Sequence, residues 1–180
     1  MTPQISELPD YEPEFRPVRK VGAGPNAITF QVSANLSAKF QYYQGRFGFN
    51  HLRKFPSLIE EILEEVLVAE QMHKEGIPVI YPQRVCNVRL STIRIPETIW
   101  TPKSTPAIIM PYVKGTLLEQ VSLDRQPALF ERASNEVEKR IKKAGFVTKS
   151  GKPYDFPANT IITEDDKMYF IGLNHFNPKR

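Results

Sequence analysis

Between Val18 and Val32 apolar side chains recur at strand spacing, and glycine-rich punctuation breaks the run. Val18, Val21, Ile28, Phe30 and Val32 carry the alternation. Gly22-Ala23-Gly24-Pro25-Asn26 supplies one turn and residues 33–37 supply a second. The pattern predicts three antiparallel strands ending at Gln41. A glycine- and aromatic-rich connection over residues 42–55 leads into FPSLIEEILEEVLVAEQMHKEG. Pro56-Ser57 starts a helix there, and Glu60 and Glu61 fall in its first turn, where the helix dipole favours carboxylates. Ile59, Ile62, Leu63, Val66, Ala69 and Met72 form a stripe of helical period, and Gly76 stops it. IPVIYPQRVCNVRL and TPAIIMPYV read as further strands, giving β-β-β-α-β-β.

After Gly115 the character changes. LLEQVSL and QPALFERASNEVEKRIKKAG read as helices, the second ending at Gly145. The tail predicts two strands, over 160–163 and 168–173, turning at Glu164-Asp165-Asp166-Lys167. A β-rich half and a helical half therefore meet near residues 113–115, and no internal repeat is visible.

A chain of 180 residues suits one domain, or two small lobes sharing a cleft. Hydrophobic residues make up 41 %, enough for a core. The net charge of +4 is scattered. Its densest cluster, Lys139, Arg140, Lys142 and Lys143, shares a helix with Glu136 and Glu138, which reads as a solvated face and not a nucleic-acid surface. One cysteine, Cys86, excludes an intramolecular disulfide and reads as a small core residue. His51, His73 and His175 are too far apart for a local metal motif. No apolar run approaches the 18 or so residues a membrane span needs. The polar, proline-dotted first 15 residues carry no apolar secretory core, and residues 1–16 are expected to be flexible.

Five pieces bear on chemistry. In VGAGPNAITF, glycines in a turn let backbone N–H groups approach phosphate oxygens. A strand follows instead of a helix, so this is not a dinucleotide-binding fingerprint, and a plain hairpin turn reads equally well. Lys39, in SAKF, could reach phosphates or lie on an edge strand. Glu65, at the border of the apolar stripe, is a better inward-facing partner for Lys39 than Glu64. In AIIMPYVKGTLLEQ a polar linker offers backbone groups to a planar base, or simply crosses from strand to helix. Finally, DFPAN places Asp155 and Asn159 in one loop before a strand, where they could orient a hydroxyl and hold a cation or form an Asx turn.

Taken in order, these pieces resemble the protein-kinase-like fold over residues 17–174. VRKVGAGPNAITFQV resembles the glycine-rich loop and Lys39 the lysine of the third strand. LEEVLVAEQMHKEGIPV resembles helix C and the strand after it, AIIMPYVKGTLLEQ the fifth strand and hinge with Met110 as gatekeeper, RASNEVEKRIKKAGFV helix E, and YDFPANTII…MYFIGL the catalytic loop and the two strands after it. The resemblance implies an α+β class, a two-lobed protein-kinase-like fold with a β-rich N-lobe (17–113) and a strongly truncated helical C-lobe (114–180). It implies ATP and Mg²⁺ as cofactors and phosphoryl transfer to a protein Ser/Thr hydroxyl. Asp155, Lys39 and Glu65 would be catalytic. Gly22, Gly24, Ala27, Lys39, Met110 and Tyr112 would hold the nucleotide, and Asn159 the metal.

The departures are specific. Asp155 and Asn159 are four apart where the family has five, so either a residue is deleted between Phe156 and Pro157 or Tyr154 holds the Asp position. Pro153 replaces the usual preceding histidine, Ala27 stands where the glycine loop has a glycine, and Gly172 stands where the metal-binding Asp is expected. That last change motivates the alternative of a pseudokinase acting as a protein-interaction module. The brevity resembles small bacterial effector kinases, which implies a soluble monomer of bacterial cytoplasm or host cytosol. Its partner would be a host protein such as an Hsp90-type chaperone or a signalling protein.

Overall fold

A computed structural model describes residues 8–11, 15–23, 27–41, 43–44, 50–51, 55–89, 104–122, 124–151 and 154–179. The chain divides into two compact units, Met1–Leu63 with Pro82–Tyr112, and Glu64–Tyr81 with Val113–Arg180.

The first unit is built on β1 (Arg19–Ala23), β2 (Ala27–Gln31), β3 (Leu36–Gln41), β6 (Arg84–Arg89) and β7 (Ser104–Pro111), with a short β4 (Tyr43–Gln44) and β5 (Asn50–His51) pairing beside them in sequence. The larger sheet has the order β1-β2-β3-β7-β6, antiparallel throughout. Alternation sets its register: Ile28 faces Phe40 and Phe30 faces Ala38 across β2 and β3, and all four are buried. β7, between β3 and β6, is buried continuously from Thr105 to Ile109, as a central strand should be. Phe40 anchors the core, meeting Phe15 edge-on at 5.3 Å and Phe30 at 6.1 Å. Cys86 is fully buried in the same cluster, as its sequence context suggests.

Before residue 17 the described residues meet the sheet. Phe15 is only 3 % exposed, and residues 9–11 pair in parallel with Asn87. The reason is that β6 ends the sheet and its outer main-chain groups find partners in this segment.

Helix α1 (Phe55–Lys74) is shared by both units. It ends as expected, Gly76 adopting a φ of +71° that a Cβ would disfavour. In the second unit β8 (Gly115–Leu117), β9 (Thr160–Thr163) and β10 (Met168–Phe170) form an antiparallel sheet of order β10-β9-β8. Helix α2 (Gln126–Ala133) passes through a π-helical turn, Ser134–Glu138, into α3 (Lys139–Lys143). Gly145 terminates it at a φ of +77°. Met72, Leu118, Val137, Phe146, Phe170 and Phe176 are among the buried residues of this unit's core. Gln71 clamps the chain's tail, accepting from the Lys179 N–H at 2.8 Å and donating to its carbonyl at 2.9 Å.

Two expected elements differ. LLEQVSL is not a helix: Leu117 ends β8, and Leu118–Gln120 is a single 3₁₀ turn that buries Leu118. Non-local pairing with β9 overrides the local propensity. The last strand stops at Phe170, and Leu173–His175 is another 3₁₀ turn. No helix among the described residues is long and apolar enough to cross a membrane. The basic cluster of α3 bonds locally: Lys142 with Glu138 at 2.6 Å, and Arg140 with the Gly76 carbonyl at 2.8 Å.

Candidate functional site

Each unit carries part of the constellation picked out in the sequence. In the first, Gly22 lies in β1 just after an irregularity in the β1–β2 ladder, and a Cβ added there meets nothing within 4 Å among the described residues. Ala27 opens β2, while Gly24 lies outside the described residues. Lys39 stands between Ala38 and Phe40 on β3, with Thr29 and Ile108 as cross-strand neighbours. Strand alternation places it on the face opposite the buried Phe40. Met110 pairs with Ser37 near the end of β7. Tyr112 follows, its N–H donating to the Asn35 carbonyl at 2.8 Å. Arg19 donates to the Tyr112 hydroxyl and its guanidinium lies 5.7 Å from the ring centroid.

In the second unit α1 presents two adjacent glutamates differently. Glu64 is salt-bridged to Lys149 at 2.5 Å and partly exposed, whereas Glu65 is 3 % exposed. Glu65 is therefore the inward-facing one, as its place beside the apolar stripe suggests.

The loop before β9 is fixed by its own hydrogen bonds. Residues Pro157–Asn159 form one 3₁₀ turn behind the buried Phe156. The Asn159 amide nitrogen donates to the Asp155 carbonyl at 2.8 Å, and the Ile171 N–H donates to the Asn159 carbonyl at 2.9 Å. The Asp155 carboxylate is exposed and, among the described residues, accepts only a long contact from the Ala158 N–H at 3.4 Å. With its nitrogen committed, Asn159 directs Oδ1 toward Gly172, 3.0 Å from the place of a Cβ there. The four-residue spacing thus makes a closed Asx-type turn that leaves one carboxylate facing outward.

Tyr154, set aside in sequence as a rival for the Asp position, has a different role. Its ring packs against Phe170 at 5.2 Å, Phe176 at 5.2 Å and His175 at 5.4 Å. Its hydroxyl is buried with no hydrogen-bond partner among the described residues. Burial, with a smaller push from the Asp155 charge, drives the phenol well above its ordinary ionisation range, so it stays neutral. A Cβ at residue 172 would lie 1.4 Å from that hydroxyl oxygen and 2.5 Å from Cζ. Gly172 is glycine because Tyr154 already fills the space. A sequence shows the glycine but not the aromatic ring that needs it.

The fit of Mg²⁺ can be tested on these contacts, and it fails. Asn159 Oδ1 points at the spot, but the phenol stands where a carboxylate on residue 172 would begin. The acids of the β9–β10 turn are engaged in contacts of their own. Glu164 pairs with Lys114 at 2.6 Å and Asp166 with Arg125 at 2.6 Å. Asp165 is held down to about 2 by Lys167 and the Thr163 hydroxyl. No group of three or more His, Cys, Asp or Glu suited to a metal occurs among the described residues.

No protein-family model matches the chain, and no curated protein matches it. Solved structures do match, among them the kinase domain of ROP18 in complex with AMP-PNP and sucrose, at a TM-score of 0.54 and 10 % identity. The alignment covers 89 % of this chain and 51 % of that one, so the chain spans about half the length of that kinase domain. At this identity the likeness concerns backbone architecture alone, and the architecture it shares is a kinase-like fold.

Proposed function

We propose that this chain is a kinase-fold module that binds an adenine nucleotide and acts through contact with a partner protein, in the manner of a pseudokinase. The observation that carries this is the Tyr154 hydroxyl, 1.4 Å from the place of a Cβ on Gly172. It leaves no room for the acidic side chain that a metal-assisted transfer needs there. Within the first unit, the backbone at Gly22 and Ala27 would approach phosphates, Lys39 would neutralise them, and Met110 and Tyr112 would border the base.

The test combines thermal shift with label transfer. Millimolar ATP is expected to raise the melting temperature to the same extent with EDTA and with Mg²⁺, since a ligand of the native state stabilises it. Lys39→Ala should abolish the rise while leaving the nucleotide-free melting temperature nearly unchanged. Radiolabelled ATP should transfer no phosphate to the protein itself or to an added protein acceptor. Transfer that Asp155→Ala removes would overturn the proposal.

A second function is favoured by one observation, the outward carboxylate of Asp155 on a turn that the Asn159 amide holds closed. It is ATP-dependent phosphoryl transfer to a protein Ser/Thr hydroxyl by a minimal effector kinase, with Asp155 orienting the hydroxyl. The same label-transfer experiment separates the two. On either reading the partner class to screen first is a host chaperone or signalling protein, because the resemblance that motivates both extends to secreted effectors.

A further inference from the structure

The outer edge of β6 presents a feature independent of nucleotide. β6 is the last strand of its sheet, and edge strands expose main-chain groups that other chains can join. Here the chain joins its own edge. The Asn87 N–H donates to the Pro9 carbonyl at 2.8 Å, and the Tyr11 N–H donates to the Asn87 carbonyl at 2.8 Å, the pattern of a one-residue parallel ladder. Strand alternation turns the main-chain groups of Val85 and Arg89 the same way as those of Asn87, so the edge can carry a longer ladder than the described residues form on it.

Side chains add selectivity. Arg89 pairs with Asp10 at 2.7 Å, and the Arg84 guanidinium lies 5.5 Å from the Tyr11 ring centroid. Tyr11 meets Phe15 edge-on at 6.0 Å, and Phe15 enters the core against Phe40. The seam is imperfect as well. The Asn87 side-chain oxygen is buried without a hydrogen-bond partner among the described residues, and the Asn87 amide nitrogen reaches Asp10 at a long 3.3 Å.

We infer that the β6 edge, flanked by Arg84 and Arg89, is a peptide-docking surface occupied by the chain's own residues 9–11, with Phe15 seated in the core beside it. The partner it fits is an extended segment carrying an acidic residue followed by an aromatic one, with a second aromatic four residues on. Main-chain pairing would supply affinity, and the two arginines with the Phe15 slot would supply choice of sequence. Occupation by residues 9–11, the strap, weakens outside binding by the fraction of time the strap is closed.

The test uses the full chain. A fluorescein-labelled peptide with the sequence of residues 8–16 is titrated against wild type and against Asp10→Arg/Tyr11→Gly, which loosens the strap. The loosened chain is expected to bind about tenfold or more tightly than wild type. Adding Arg89→Asp should weaken that binding several-fold, and a peptide with Lys in place of the Asp should recover it. A loosened chain that melts cooperatively but binds no peptide overturns the inference, and so does equal binding to both proteins. If the loosened chain does not melt cooperatively, hydrogen exchange on wild type decides. The Tyr11 and Asn87 amides should exchange together and well ahead of Ile109. Exchange only at the Ile109 rate would mean that the strap never opens by itself, and the surface would then be no docking site.

Discussion

Gly22 and Gly172 stand at positions where the kinase resemblance puts chemistry, one in each unit, and their surroundings are opposite. Around Gly22 a methyl group would meet nothing within 4 Å among the described residues. Around Gly172 it would collide with a tyrosine hydroxyl, a ring carbon and an asparagine oxygen. The first glycine leaves space that a ligand can use. The second has given its space to the protein. The same residue therefore reports an open surface in one place and a filled core in the other, and only the neighbours distinguish them.

The contrast is broken or sharpened by substitution, and the largest effect is expected at residue 172. Gly172→Asp should destabilise by about 3 kcal/mol or more, because it overpacks the Tyr154 site and buries a carboxylate beside an unpaired phenol. Denaturant unfolding measures this. A loss within about 1 kcal/mol would mean that Tyr154 swings aside easily and that the site accepts an acid after all.

Next comes the alanine pair. Gly172→Ala should cost about 1–3 kcal/mol, while Gly22→Ala should fall within about 0.5 kcal/mol of wild type or stabilise slightly by restricting the unfolded chain. Gly22→Ala should nonetheless reduce the ATP-induced thermal shift if backbone at that point meets phosphate. Equal costs at the two glycines would erase the distinction.

A smaller effect is expected from Tyr154→Phe. Removing a buried, unpartnered hydroxyl should stabilise by about 1 kcal/mol. It should relieve only part of the Gly172→Ala penalty, because Cζ itself lies 2.5 Å from the new methyl position. The double-mutant coupling is the measurement, and additivity would show that the two residues do not share the space.

The least effect concerns pH and the first unit. Burial pushes the Cys86 thiol from its ordinary 9.0 up to about 11. The unfolded chain therefore loses this proton first, and the associated stability, complete below pH 9, is lost as pH rises toward 11. Melting temperatures at pH 8 and 10 should fall further apart for wild type than for Cys86→Ala, and identical spacing would place Cys86 in contact with water.

Much of the fold was legible because the informative signals are local. The strands to Gln41 and the stops at Gly76 and Gly145 follow from period and glycine placement and appear where expected, while the α1 stripe does so in part: Ile59, Ile62, Ala69 and Met72 are buried, Leu63 and Val66 are half-buried, and Val68 is buried instead. The failures share a non-local cause. β8 exists because β9 lies beside it, and Phe15 is buried because Phe40 and Tyr11 receive it. Of the candidate site, the residue types and their order were visible, as was the departure at Gly172. The filling of that position by Tyr154 was not, because it depends on a ring whose nearest aromatic contacts, Phe170, His175 and Phe176, come some 16 or more residues later in the chain.

The bond from the Asn159 side chain to the Asp155 carbonyl has a consequence for how such a loop can change over time. It needs a nitrogen at that place, since a carboxylate has no hydrogen to give. Replacing Asn159 by aspartate would add negative charge beside Gly172 but unfasten the turn that aims it. A change that introduces charge at this spot while keeping the turn fastened is thus steered away from the one-letter route, toward exchanging Tyr154 and Gly172 together.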